Sequence, residues 1–547
     1  MTERTLIPLR YSAYLACILL SLITLALSSL SAWWLAVALP AIAFTVLGTW
    51  DLLQPRRTVS RNYPVLAHFR YFFESIGPEI RQYFIFSDTE GRPFSREQRR
   101  IVYQRAKNTL DKRPFGSLLD MDDPGYEWIN HSLTPVDHAN ADFRITIGSR
   151  CAQPYSASIF NISAMSFGSL SANAIRALNH GGARGGFYHD TGEGSISRYH
   201  LEGGGDLVWE IGSGYFGCRD EQGYFNEDLF IENATRDAVK MIEVKLSQGA
   251  KPGHGGILPG AKVTQEIAEA RGVPAGEDVV SPPSHSAFST PIELLEFLDR
   301  LRELSGGKPV GFKLAIGHPW EWFSIVKAML ETGRHPDFIV VDGGEGGTGA
   351  APLEFINRLG MPLLDALLLV HNTLVGTNLR DVIAVGSAGK ISSGFHLAKT
   401  LALGADWCNA ARGYMFALGC IQALNCHTGR CPSGVATQDP RRGNKLDVPL
   451  KSERVYHYHQ NTVQALGNLI GAAGLKDTSE LGPDHIIQQT SQTEFRTYRD
   501  LYPFLEPGAL LNGDTGYELF DHYWEEASAW EFGVPSSVIR FRRNPVR

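Results

Sequence analysis

Between Cys151 and residue 413 the chain repeats one pattern eight times: a short apolar run, a glycine-rich or polar turn, then in most cases a helical stretch. The runs are SIFNISAM at 158–165, GFYHDTG at 186–192, LVWEIGSG at 207–214, MIEVKLSQG at 241–249, VGFKLAIG at 310–317, FIVVDGGEGG at 338–347, VIAVGSAG at 382–389 and WCNAARG at 407–413. Strands that alternate with helices pair in parallel, because each crossover returns the chain to the same end of the sheet. Eight of them predict an α/β chain closed into a (β/α)8 TIM barrel. An open doubly wound sheet is the alternative, but no G-x-G-x-x-G opens a helix after an early strand. Barrel chemistry gathers where the strands end, so the turn after each run supplies the candidate residues.

The last two runs lead into GSAGKISSG and NAARGYMFALG. Such turns bare backbone N–H groups at helix starts, the arrangement that holds a phosphate, and barrels bind phosphate in this quarter. Gly386, Gly389, Gly394, Arg412 and Gly413 are the phosphate candidates; tight turns with no ligand are the plain alternative. Lys245 and Lys313 fall inside the fourth and fifth runs, where a lysine needs a buried partner. That partner is a cofactor or substrate anion, or a barrel acid such as Glu243, Asp342 or Glu193.

Three of the seven cysteines, Cys420, Cys426 and Cys431, stand at C-x5-C-x4-C spacing. Zinc is one reading, since His427 could complete a tetrahedron, but the usual C-x2-4-C pair is missing. Iron–sulfur ligation tolerates longer loops, and Pro432 follows the last cysteine as in ferredoxin-type runs. Three thiolates without an obvious fourth favour a 3Fe-4S cluster. A phosphate-bearing redox group that exchanges electrons with such a cluster points to FMN.

The formal charge of −7, with 51 basic against 58 acidic residues and no basic arm, excludes nucleic acid as a partner. An odd cysteine count outside any disulfide framework implies a reducing compartment. From residue 11 to Asp51 there is no charge at all, enough for two spans, 11–30 and 33–53, broken at Ser28 and Ser29. Arg4 and Arg10 before the pair and Arg56, Arg57 and Arg61 after it place both ends, and the catalytic domain, on the cytoplasmic side of the cytoplasmic membrane. The expected organisation is a transmembrane hairpin at 1–55, a helical cover segment at 56–150 with Ser95 capping one helix, the barrel at 151–475, and a polar C-terminal tail at 476–547.

The chain also resembles the FMN-binding synthase domain of the glutamate synthases. The shared blocks, in order, are MSFGSLS at 165–171, TGEGS at 191–195, QGAKPGHGGILPG at 248–260, SPPSH at 281–285, DGGEGGTGAAP at 342–352 and GVATQDP at 434–440 with the cysteine run before it. The resemblance implies a (β/α)8 barrel with FMN and a 3Fe-4S cluster on Cys420, Cys426 and Cys431. It implies that Met165, Ser166 and Gly168 run along the isoalloxazine, with Lys313 beside the ring and Gly343, Gly344 and Gly347 lining its cofactor side. It places Glu193, Lys245, Lys251 and Arg271 at the substrate pocket and electron-transfer path. Lys245 and Arg271 would clamp carboxylates while Glu193 assists proton movement, as an imine from ammonia and 2-oxoglutarate is reduced to glutamate.

Two departures bear on substrate. The first 55 residues stand where the family carries an amidotransferase, so glutamine hydrolysis is not expected of this chain. Ile257 occupies a place in the pocket wall where glutamate synthases carry glutamine, which favours a different keto or amino acid. Three functions follow: imine reduction fed by an external ferredoxin, flavoprotein or quinone pool; a membrane-linked dehydrogenase of amino or N-substituted amino acids running the other way; and an FMN-binding regulatory protein without turnover.

Overall fold

The computed structural model describes residues 9–513 and 515–534. Arg4 and the last thirteen residues of the expected tail lie outside the described residues. The chain divides into two compact units between Arg96 and Glu97.

In the first unit, helix α1, Ser12–Leu27, packs against α2, Leu35–Leu53. Their seam is built from small and hydroxyl residues. Ala38 and Ala41 are buried, Tyr14 Oη meets Thr49 Oγ1 at 2.7 Å and Ser21 Oγ meets Thr45 Oγ1 at 3.0 Å. A side chain on Gly48 would overlap the Tyr14 ring. Close approach through small residues with a few polar cross-links is how apolar helices pair without a hydrophobic drive between them. Only one helix among the described residues, the 22-residue stretch Ala32–Leu53, is long and apolar enough to cross a membrane. The other half of the expected hairpin has just 16 residues. It stops early because Ser28 and Ser29 turn their hydroxyls onto the carbonyls of Leu25 and Ala26.

The second unit contains the barrel: β1 Phe160–Ile162, β2 His189–Asp190, β3 Leu207–Ile211, β4 Val239–Lys245, β5 Val310–Leu314, β6 Phe338–Asp342, β7 Ala384–Ala388 and β8 Trp407–Ala410. Every neighbouring pair is parallel, and β8 pairs with β1 to close the ring. Seven of the eight strands lie within the apolar runs, and β4 begins two residues before its run, at Val239. An antiparallel hairpin, Arg144–Ile147 with Tyr155–Ser158, stoppers the amino-terminal end. Its Ile147, Tyr155 and Ala157 join Tyr188, Val208, Met241, Phe338, Val340 and Trp407 in one buried cluster. That apolar plug leaves the opposite end as the place for polar chemistry.

The region expected to form a polar tail is folded. Residues Ile486–Ser491 and Glu494–Thr497 make a three-stranded antiparallel sheet with Glu127–Ile129. Helix Glu518–Glu526 sets Phe520 and Trp524 against Phe323. The 25-residue helix Val448–Ala472 packs along helix Ala172–Gly185.

Candidate active site

Inward-facing residues at the carboxyl end of the strands form two charged layers. In the deeper one, Asp190 of β2, Glu210 of β3 and Glu243 of β4 each bring a carboxylate oxygen within 4.8 Å of the others, and all three are buried. Their shared cation is Lys313 of β5, buried in turn, which contacts Glu210 Oε2 and lies 3.4 Å from Glu243 Oε1. Asp342 at the end of β6 accepts a hydrogen bond from the Gly249 amide at 3.0 Å. Burial raises the carboxyls of Asp190 and Asp342, and burial with the neighbouring Asp190 and Asp342 charges pushes Glu243 well above the usual range.

The upper layer is cationic. Lys245 is the register partner of Lys313 across β4 and β5, yet it turns to the mouth and donates to Glu193 Oε2 at 2.9 Å. Lys251 and Arg271 stand close enough to act on the same carboxylate. Burial pushes Glu193 up, but Lys245 first, then Lys251 and Arg271, pull it down to about 2. The loop between β4 and β5 supplies both outer cations. Arg271 ends helix Gln265–Arg271, and its guanidinium lies 5.0 Å from the Phe216 ring centroid. It is 6% exposed, and its Nε is buried without a hydrogen-bond partner. A buried donor left unsatisfied is costly, so an acceptor at this place is favoured. Burial lowers both Lys251 and Arg271.

The first-strand turn, with Met165, Ser166 and Gly168, packs beside Arg271: a side chain on Gly168 or on Gly194 would come against its guanidinium. The turn is held by the segment after the cysteines. Gln438 Nε2 donates to the carbonyls of Gly168 at 3.0 Å and Leu170 at 2.8 Å, and Ser171 Oγ donates to the Gly434 carbonyl at 2.7 Å. The thiol loop and the barrel mouth are thereby one piece.

In that loop Gly419, Gln422 and Leu424 all have positive φ, at 109°, 58° and 56°. Two non-glycine residues in the left-handed region within three positions are unusual strain for a loop without a task. Cys431 Sγ lies 3.3 Å from Ser433 Oγ. Burial raises this thiol, but the Ser433 hydroxyl and the amides of Ala436, Ser433 and Val435 outweigh it and lower it overall. Burial raises Cys420, opposed by the Gln422 amide and Arg412 and reinforced by Cys426 and Cys431. Three sulfur centres that repel one another when ionised are a donor set a cationic cluster would relieve. Among the described residues the group of three acidic or thiol side chains gathered within 4.8 Å is Asp190, Glu210 and Glu243, which Lys313 neutralises in part.

The phosphate candidates separate. Gly386 lies in the middle of β7, where a side chain would overlap the Trp407 ring, a packing position below the turn. Gly394 and Gly413 let helices Gly394–Ala402 and Arg412–Leu418 approach helix Val448–Ala472, against Leu466 and Tyr458. Gly389 and Arg412 remain at the mouth, and Lys390 beside Gly389 is held at φ 54°. Arg412 donates to the Thr348 carbonyl at 2.5 Å, bridging the turns after β6 and β8. Gly343, Gly344 and Gly347 lie in the β6 turn, where side chains would meet Glu345 and Leu363, the Gly360 carbonyl, and Arg412. On the strand Gly256–Leu258, Gly256 faces Lys251 and Glu193. Alternation therefore turns Ile257 to the other face, 66% exposed beside its register partner Val280. Its expected place in the pocket wall is not where the strand puts it.

Asp190 and Glu210 were not singled out from the sequence, although each is a carboxylate inside an apolar run, the same signal that marked the lysines. His285 of SPPSH sits against the backbone of β4. Its Nε2 lies 2.9 Å from the Lys245 carbonyl and its Nδ1 3.1 Å from Tyr215 Oη, a brace for the strand that carries Lys245.

Comparison with known proteins agrees with this architecture. Residues 131–476 match the family described as the conserved region in glutamate synthase. The glutamate synthase large subunit-like protein YerD of Bacillus subtilis (strain 168) is 38% identical over 493 residues, covering 82% of this chain and 93% of that one. The archaeal-type glutamate synthase [NADPH] of Thermotoga neapolitana is 33% identical over 319 residues, covering 58% of this chain and 60% of its own. A solved flavocytochrome b2 variant with sulfite bound superposes at a TM-score of 0.40 and 12% identity, covering 77% of this chain and 87% of that one; it carries no weight in the assignment. The protein belongs to the glutamate synthase family.

Proposed function

We propose that this chain is a glutamate synthase-like flavin and iron–sulfur oxidoreductase that reduces the imine of ammonia and 2-oxoglutarate, or of a similar keto acid, to an amino acid. The observation that carries the reading is the mouth itself: Lys245, Lys251 and Arg271 surround one carboxylate, and the Arg271 Nε is buried without an acceptor. Three cations against Glu193 leave charge for the carboxylates of a dianionic substrate. The Met165–Gly168 turn, Lys313, the β6 glycines, Gly389 and Arg412 would hold FMN, with Lys390 and Arg412 as cations for its phosphate. Cys420, Cys426 and Cys431 would hold the 3Fe-4S cluster, and the 434–438 segment would keep it against the mouth. When bound, FMN would supply hydride chemistry and the cluster one-electron transfer. Lys245 and Arg271 clamp the substrate and polarise it, Lys251 adds charge to the carboxylate site, and Glu193 with Lys245 moves a proton at the substrate nitrogen.

The apolar helix Ala32–Leu53 favours anchoring in a membrane, and the arginines flanking the expected hairpin favour the cytoplasmic side for the barrel. The helix also favours a second reading, an amino-acid dehydrogenase that delivers electrons to the quinone pool; ferredoxin or a separate flavoprotein serves the first. Anaerobically purified full-length protein should contain flavin and iron, and flavin reduced through the cluster should reoxidise on adding keto acid and ammonia. Bleaching by an amino acid with quinone reduction would establish the second reading instead, and protein that carries neither flavin nor iron would overturn both. Within the first reading, Lys245→Ala should raise KM for the keto acid at least tenfold, from a lost charged hydrogen bond of about 1.5–3 kcal/mol. Unchanged turnover and KM would remove Lys245 from the site.

A further inference from the structure

The deeper charged layer has too many acids for its cations. Asp190, Glu210 and Glu243 converge within 4.8 Å and Asp342 adds its charge from β6, yet among the described residues the one cation in contact is Lys313. Lys245, the next cation up, is committed to Glu193 at 2.9 Å. Glu243 Oε1 is buried and, although 3.4 Å from Lys313 Nζ, receives no hydrogen bond. Tyr188 Oη also faces this layer but donates to Asn409 Oδ1 at 2.7 Å and accepts from Trp407 Nε1, so it gives the acids no proton. Carboxylates that share a dry site cannot all ionise beside one ammonium.

We propose that Asp190 and Glu243 hold one proton between them and serve as the proton reserve for the Lys245–Glu193 pair at the mouth. Asp190 is fixed for this role by the Gly192 amide, which donates to its Oδ1 at 2.9 Å. The raised carboxyls of Asp190 and Glu243, each with the other as hydrogen-bond partner, accord with a shared proton. Glu243 and Lys245 sit two residues apart on one face of β4, and Asp190 and Glu193 three apart at the end of β2, so reserve and mouth share two chain segments. The inference deepens the proposed reaction and rests on it for its kinetic arm. With hydride supplied by the flavin of that reaction, the substrate nitrogen takes a proton from the Lys245 ammonium, forming N–H as the Nζ–H bond breaks. Lys245 then regains a proton from the Glu243 carboxyl, whose O–H bond breaks. The pair is left as two carboxylates until water at the mouth returns the proton. Asp190 and Glu243 act through Lys245 and are positioning residues.

The test is infrared spectroscopy of the substrate-free holoenzyme at pH 7.5, in H2O and D2O. A deuterium-sensitive stretch of a protonated carboxyl should be present, should shift or vanish in Glu243→Gln and in Asp190→Asn, and should be untouched in Glu193→Gln. Absence of the stretch in the wild type, or its persistence unchanged in both inner variants, would overturn the proposal even if either variant proved hard to fold. In turnover, Glu243→Gln should lower kcat about a hundredfold, flatten one limb of its pH profile, and leave KM for the keto acid within about twofold. An unaltered kcat profile would refute the reserve role. A wild type that shows the stretch but does not reduce the imine would sink the proposed reaction while leaving the shared proton in place.

Discussion

Replacing Glu193 with glutamine isolates the charge balance of the mouth. In the folded chain the carboxylate lies 2.9 Å from Lys245 Nζ and is held near 2 against an ordinary value of 4.5. That difference corresponds to about 3 kcal/mol of stability at pH 7, an order of magnitude for a pair whose two side chains are 10% and 25% exposed. The folded value is the lower one, so the contribution is complete above about 4.5 and fades as pH falls towards about 2. By linkage it is about 2 kcal/mol at pH 3.5. Urea unfolding of wild type and Glu193→Gln should therefore show a gap of about 3 kcal/mol at pH 7 that narrows on acidification. The same variant leaves Lys245, Lys251 and Arg271 without their anion, so a dicarboxylate added at pH 7 should raise its midpoint more than that of the wild type. A gap under about 1 kcal/mol at pH 7, or one that widens towards pH 3.5, would refute the assignment of Glu193 as the ionised centre of three cations.

Two other substitutions probe the loop and the pocket wall. Cys431→Ser, which keeps the hydroxyl partner Ser433 but removes a thiol lowered by that hydroxyl and the neighbouring amides, should abolish stoichiometric iron while flavin content stays within about half of wild type; full iron content would exclude it as a ligand. Ile257→Gln should change KM for 2-oxoglutarate by less than about twofold, because the side chain points away from Lys251 and Glu193. A tenfold drop would show that the strand's other face lines the pocket after all.

The barrel was legible because eight strands buried on both faces leave nearly continuous apolar runs, and the residues that violate those runs mark the site. Lys245 and Lys313 stand out for that reason. Asp190 and Glu210 break the runs equally, yet sequence alone does not tell a layer of acids around one lysine from isolated partners, since convergence depends on barrel stagger. Lys251 and Arg271 lie on the long excursion between β4 and β5, where nothing local says that helix Gln265–Arg271 folds back over the mouth; only the resemblance placed them. The folded C-terminal region was hidden by its short elements, whose stability comes from aromatic contacts such as Phe520 on Phe323 and not from local propensity.

Glycines show the same limit from the other side. A glycine-rich turn reads identically whether its missing side chains admit a ligand or another part of the chain. Gly386 and Gly389 are three residues apart in one run, yet the first makes room for Trp407 inside the barrel and the second ends the strand beside a left-handed Lys390. Gly394 and Gly413 open space for helix Val448–Ala472, which begins nearly forty residues after the last barrel strand. Two positions that looked like one phosphate cradle therefore belong to helix packing, and the cationic part of that quarter reduces to Lys390 and Arg412. Arg412 also lowers Cys420 and reaches the Thr348 carbonyl. One guanidinium thus meets both the thiol loop and the turn after β6, so the proposed cluster and flavin sites share this fixed charge at the barrel rim.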